Sequence, residues 1–219
     1  MVGTVLPLAL VVGLSPVGIL PAVLLLLTPR ARVNGPAYLA AWVVGLTSLT
    51  ALAAWLARPA DPGPPTDEGI GWIQVATGTV FLIMAAAKWR HRPARGETPA
   101  PPKWMSALDS YSPARSARLG ALLACANPKN LAMAVAAGVE IAVLADSPAA
   151  TASGVVAFVL IGSLGVGTPV LAHAALGART APTLDRSRVW LLRNSVALSA
   201  GVLAVLGVLL LMGGLPRAL

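Results

Sequence analysis

Asn127, Pro128, Lys129 and Asn130 bring two amides, a proline and an ammonium group together inside a stretch that is otherwise apolar. This stretch, residues 119–144, is long enough to cross a membrane. A proline within a helix removes a backbone hydrogen bond, and a charge at membrane depth is costly. Both penalties at one spot predict a broken helix that lines a polar cavity, which is typical of a transport pathway.

The chemistry predicted for this break is anion binding. Asn127 is a good N-cap for a half-helix that begins at Pro128, where the missing amide proton costs nothing. The positive end of that half-helix, with the Lys129 ammonium beside it, suits a carboxylate, a phosphate or a sulfate. The alternative is that Lys129 extends to the cytoplasmic interface, about 12 Å away at the helical rise per residue.

A second interruption lies in the first apolar stretch, where Ser15 precedes Pro16 and Gly18 and Pro21 follow. Both interruptions fall near the middle of a hydrocarbon core about 30 Å thick. Paired breaks in corresponding spans of two halves point to a transporter binding site. The predicted substrate site therefore comprises Ser15, Pro16, Gly18, Pro21, Asn127, Pro128, Lys129 and Asn130.

The composition predicts that the elements holding these residues are membrane helices. Hydrophobic residues make up 57% of the chain and charged residues 11%, against about 25% charged in a soluble domain. The mean hydropathy is +0.78. The fold class expected is an all-α integral membrane protein with six transmembrane helices, in which helices 1 and 4 are broken. The predicted spans are 4–28, 37–57, 70–88, 119–145, 151–176 and 194–214.

The placement of the positive charges predicts the orientation. Thirteen of the sixteen Lys and Arg residues fall in three loops, two fall on the opposite side, and Lys129 lies within a span. This positive-inside bias places the basic loops in the cytoplasm and both termini outside. It therefore assigns the net charge of +8 to a multi-pass plasma-membrane protein, with no nucleic-acid partner.

The basic, proline-rich stretch 90–118 divides the chain into two halves of opposite orientation. We predict a first three-helix repeat over 1–89, an irregular cytoplasmic linker over 90–118 and a second three-helix repeat over 119–219. Rocking one inverted repeat against the other would give alternating access to the site.

Two other polar residues, Glu140 and His173, lie outside the predicted substrate site. Glu140 lies toward the outer end of span 4 and His173 near the inner end of span 5, where they are candidates for gating or a proton relay. Ser163 lies about 15 Å from His173 along the same helix, so the two cannot form a catalytic pair. The small residues around Ser163 predict close helix packing. We therefore expect no enzyme activity, no cofactor and no metal site.

At this point the residues resemble a known family. The stretches Leu14–Pro21 and Asn127–Met133, in six spans of inverted threes, are similar to the lysine exporter superfamily. Within it they look closest to the GAP branch, the glycolipid or peptidoglycolipid addressing proteins of actinobacteria. Classical amino-acid exporters of the superfamily carry Pro-Gly-Pro in the first span, where this chain has Ser15-Pro16-Val17-Gly18.

The resemblance implies an inner-membrane protein that helps to move envelope glycolipids outward, beside a lipid-synthesis or export complex. The expected partner is a membrane lipid or small anionic substrate, and a homodimer is permitted. Two rival functions remain: an exporter of small amino acids or metabolites coupled to an ion gradient, and a non-transporting membrane adaptor that recruits partners through the linker.

Overall fold

The computed structural model describes residues 2–57, 67–90 and 108–218, and within these ranges the chain is helical without a strand. The helices of these ranges are α1 (Val2–Gly13), α2 (Pro16–Leu26), α3 (Ala31–Leu56), α4 (Asp67–Arg90), α5 (Pro113–Cys125), α6 (Pro128–Leu144), α7 (Pro148–Gly162), α8 (Leu164–Leu176) and α9 (Ala181–Ala218). Short 3₁₀ turns lie at Leu108–Ser110 and Gly177–Thr180.

The two predicted helix breaks are confirmed, and they share one local cause. Helix α2 departs from α1 by 43°, and α6 departs from α5 by 63°. A residue before proline is driven out of the helical region by the proline ring. Accordingly Ser15 (φ −74°, ψ 112°) and Asn127 (φ −73°, ψ 116°) are extended, and each half-helix restarts at its proline.

A third break, at Ser163, separates α7 from α8 and corrects the prediction of one continuous span over 151–176. Ser163 keeps near-helical angles (φ −97°, ψ −5°), so this break, unlike the other two, contains no extended residue. Gly162, Gly165 and Gly167 surround it, and glycine weakens a helix by about 0.5–1 kcal/mol relative to alanine. The sequence places no proline at this break itself.

The helices form two compact units. The first holds α1–α3, α5–α8 and α9 up to Leu192, and the second holds α4 and α9 from Arg193 onward. These units do not test whether residues 1–89 and 119–219 are two symmetry-related repeats, which stays a prediction.

Helix α3 is the centre of the first unit, where α2, α5, α6, α7 and α8 all contact it. Glycines on α5 and α6 allow backbone-to-backbone approach. A Cβ on Gly120 would collide with the Tyr38 carbonyl group, and one on Gly138 would lie 2.7 Å from Thr50 O. Small residues give membrane helices this kind of close packing.

In the second unit, α4 and α9 interlock through glycines. A Cβ on Gly78 would lie 2.8 Å from Gly207 O, and a Cβ on Gly207 would lie 2.8 Å from Gly78 O. The same contact recurs seven residues along each helix, where a Cβ on Gly214 would lie 2.8 Å from Gly71 O. Because the paired residue numbers run in opposite directions, the two helices are antiparallel.

Two helical stretches of the described chain, Ala31–Leu56 and Leu164–Pro216, are long and apolar enough to cross a membrane. The number rises to four if each bent pair, α1–α2 and α5–α6, counts as one span. The chain is therefore a helical membrane protein, and the arrangement as six spans in two inverted repeats remains a prediction.

Two boundaries differ from those expected. Helix α5 begins at Pro113, inside the predicted irregular linker 90–118, because Ser112 Oγ accepts a bond from Arg115 N and Pro113 takes the first helical position. Helix α9 begins at Ala181 rather than near 194 and continues through the basic loop. Residues 91–107 of the linker lie outside the described part of the chain.

Candidate functional site

Lys129 connects the two proline breaks directly. Its ammonium Nζ donates a hydrogen bond of 2.8 Å to Val11 O, near the end of α1. Lys129 itself is half-buried in the first turn of α6. The ammonium is therefore directed toward the end of α1 in the first unit, and its depth in the membrane stays a prediction.

The break in α1 explains why Val11 O is available. In a continuous helix Ser15 N would donate to this carbonyl, but it donates to Val12 O instead, at 3.1 Å. The proline break thus frees one carbonyl, and Lys129 from the other half of the sequence satisfies it. A lysine in the first turn is disfavoured by the dipole of α6, and the negative C-terminal end of α1 offsets that penalty.

The two asparagines of the fourth span satisfy backbone groups that its break exposes. Asn127 Oδ1 accepts from Lys129 N at 3.1 Å, which confirms the predicted N-cap. Asn130 is fully buried, and its Nδ2 donates to Leu123 O at 3.0 Å in the last turn of α5. Its Oδ1 makes no hydrogen bond within the described chain. Together they fix the bend at which Lys129 is presented.

The residues predicted from the first span are buried against α3. Ser15 is 1% exposed, and Pro16, Gly18 and Pro21 are buried as well. Gly18 lies under the Trp42 ring, since a Cβ there would be 2.5 Å from the ring's outer edge. The Tyr38 hydroxyl donates to Gly18 O at 2.9 Å. Helix α2 is therefore held in place by α3 at its first turn.

The polar face of α3 was not predicted from the sequence as part of the site. Asn34, Tyr38, Trp42 and Thr50 recur at multiples of four residues, and each is fully buried. Asn34 Oδ1, Trp42 Nε1 and Thr50 Oγ1 make no hydrogen bond within the described residues. Four polar or aromatic residues spaced by four or eight positions in an apolar span are the signal that would have identified this face.

Helix α1 meets the third break through glycines. A Cβ on Gly165 would collide with Gly13 O, and a Cβ on Gly13 would lie 2.8 Å from Ile161 O. The packing role predicted for the small residues around Ser163 is confirmed by these contacts. The ends of α1 and α7 therefore lie against each other, close to the carbonyl that Lys129 contacts.

Glu140 and His173 lie away from this cluster. Glu140 follows Lys129 by eleven residues in α6, which is about 16 Å along the helix axis. His173 is in the last turn of α8, where its Nδ1 is 2.8 Å from Thr180 Oγ1. The gating role of both residues stays a prediction.

The assembled site suits binding and movement. Its charged group is the Lys129 ammonium, which donates a hydrogen bond to the backbone carbonyl of Val11. Within the described residues there is no cluster of three His, Cys, Asp or Glu side chains that could hold a metal ion. The bent half-helices supply joints around which the cluster can rearrange.

Comparison with known proteins identifies a family. The family model for Sap, the sulfolipid-1-addressing protein, matches residues 5–216, which is nearly the whole chain. No curated protein and no solved structure matches. The chain belongs to the sulfolipid-1-addressing protein family, and the prediction of an addressing-protein family of the GAP type is confirmed.

Proposed function

We propose that this member of the sulfolipid-1-addressing protein family moves an anionic envelope lipid outward across the plasma membrane. The observation that carries the proposal is the bond between Lys129 Nζ and Val11 O, which joins the two helix breaks through a cation. The name of the family, which refers to a sulfolipid, supports an acidic headgroup as the ligand.

In the proposed mechanism, Lys129 exchanges one acceptor for another. Without substrate, its ammonium bridges α6 to α1 and holds the two breaks together. An acidic headgroup entering at the breaks competes for the ammonium, because a bond to a charged acceptor is stronger than one to a neutral carbonyl. Loss of the bridge frees Val11 O and allows α1 to move relative to α6.

The remaining residues support this exchange. Asn127 and Pro128 keep the start of α6 in place, so the ammonium moves while its backbone remains fixed. Asn130 Oδ1 and Ser15 Oγ are buried oxygens without hydrogen bonds in the described chain, and they can accept from hydroxyl groups of a headgroup. The basic loops would face the cytoplasm and both termini the outside.

Equilibrium binding to the purified protein tests the proposal. The probes are a sulfated glycolipid and the same lipid without its sulfate, measured by microscale thermophoresis in detergent. We expect the wild type to prefer the sulfated lipid, and Lys129→Met to weaken that preference by about 10- to 150-fold, the equivalent of one charged hydrogen bond.

The matched control is Lys88→Met, which removes an exposed lysine from the last turn of α4. This variant should bind like the wild type. Equal binding of both lipids by the wild type would overturn the proposal. An unchanged preference in Lys129→Met would place the anion site elsewhere in the chain.

A further inference from the structure

Two buried hydroxyl groups lie where the first and third breaks meet. Ser15 is 1% exposed and Ser163 is 7% exposed, and neither Oγ makes a hydrogen bond within the described chain. Leaving a buried hydroxyl without a partner costs about 1–3 kcal/mol. Both hydroxyls are within two residues of Gly13 and Gly165, whose backbones touch.

Backbone oxygens at the same junction also lose their usual donors. Pro21 and Pro169 have no amide proton to give to the carbonyls four residues earlier, at Val17 and Gly165. The shift of Ser15 N to Val12 O has the same effect on Val11 O. Val17 O and Gly165 O therefore lack the donor four residues on that a regular helix supplies, and Val11 O takes its donor from Lys129 instead.

One cation is already drawn to these oxygens, namely the Lys129 ammonium at Val11 O. In this contact a cation reaches the C-terminal end of α1, where the helix dipole favours positive charge. Hydroxyl and carbonyl oxygens without a carboxylate suit a monovalent ion better than a divalent one, which requires charged ligands. Unwound backbone carbonyls at half-helix ends are the groups with which transporters coordinate sodium.

We propose that this junction binds a sodium ion, with the Ser15 and Ser163 hydroxyl oxygens and backbone carbonyls of the two breaks as ligands. Sodium would bind more tightly once Lys129 leaves Val11 O for an acidic headgroup, since the ammonium then no longer repels the ion. That coupling role depends on the proposed transport function, whereas the site itself does not.

Sodium binding to the full-length protein in detergent tests the site without any lipid. Equilibrium binding of radioactive sodium is the first readout. The second is the thermal unfolding midpoint in sodium chloride against potassium chloride and choline chloride at equal ionic strength. We expect saturable sodium binding and a rise in Tm of about 2–6 °C in sodium alone.

The double variant Ser15→Ala, Ser163→Ala should lose both effects. Ser116→Ala is the matched control, because Ser116 is another buried hydroxyl without a hydrogen bond, placed in the first turn of α5. Ser116→Ala should keep both sodium effects. Equal Tm values in the three salts, or sodium binding that survives in the double variant, would overturn the proposal. Sodium binding without any lipid preference would retain the site and refute the lipid mechanism.

Discussion

At the scale of single residues, polar side chains satisfy backbone groups that the broken helices expose. Lys129 takes over the carbonyl that Ser15 N no longer contacts, and Asn127 caps the half-helix that presents Lys129. A residue of the second half thereby completes the hydrogen bonding of the first. We propose that this arrangement allows the site to respond to an anion.

The contact of Gly18 with α3 leads to a prediction about stability. Gly18→Ala should destabilise the protein by about 1–3 kcal/mol, because the new Cβ would press on a fully buried Trp42 ring. Thermal unfolding in detergent measures the effect.

The control for this prediction is Gly201→Ala in α9, where no atom lies within 4 Å of the added Cβ. This variant should be neutral or slightly stabilised, since alanine favours a helix over glycine. Equal Tm values for the two variants would show that Gly18 does not hold α2 against α3.

Residue types alone predicted the two helix breaks, and a substrate site at these breaks stays a prediction. The residues of the two breaks were predicted because proline before an apolar run dictates a local conformation, and a buried lysine requires an explanation. Tyr38 and Trp42 were missed because aromatic residues in an apolar span are ordinary. Only their tertiary contacts with Gly18 give them a role.

At the scale of elements, the important feature is that three helix pairs break within the first unit. The breaks α1–α2 and α5–α6 follow from the X-Pro rule and were predicted. The break α7–α8 depends on glycines and on packing against α1, so local sequence does not determine it. The early starts of α5 and α9 likewise reflect helix-forming residues outside the apolar spans that defined the prediction.

The packing of α1 on α8 gives a prediction that distinguishes two glycines of one helix. Gly165→Ala should destabilise the protein by about 1–3 kcal/mol and reduce lipid binding, since its Cβ would overlap Gly13 O and displace the break. Chemical unfolding and the lipid-binding measurement above check both effects.

Gly167→Ala is the matched control two residues away, where the nearest atom to the new Cβ is Leu39 Cδ1 at 3.8 Å. It should bind lipid like the wild type and be equally or more stable. If both alanine variants behave alike, the contact between the first and third breaks has no functional role.

At the scale of the whole molecule, composition and charge were the informative features. They predicted a helical membrane protein, and the described helices agree with that prediction. The addressing family was predicted from the resemblance of the two break motifs, and the family match confirms it. Inverted symmetry is a relation between distant segments, which hydropathy alone does not determine.

The orientation is predicted from the thirteen basic residues in three loops. In a Cys125→Ser background, cysteine at the exposed position Ser147 should react with a membrane-impermeant maleimide in intact cells. Cysteine at the exposed position Ala178 should react only after permeabilisation. The reverse labelling pattern would place the basic loops outside the cell and contradict the predicted orientation.

The most direct test of the central claim is the surface lipid profile of cells that lack the gene. Complementation uses the wild type, Lys129→Met and Lys88→Met, each at equal protein level, and surface lipids are compared by mass spectrometry. We predict that an anionic lipid is lost without the gene and is restored by the wild type and Lys88→Met but not by Lys129→Met. An unchanged lipid profile without the gene, or full restoration by Lys129→Met, would contradict the account.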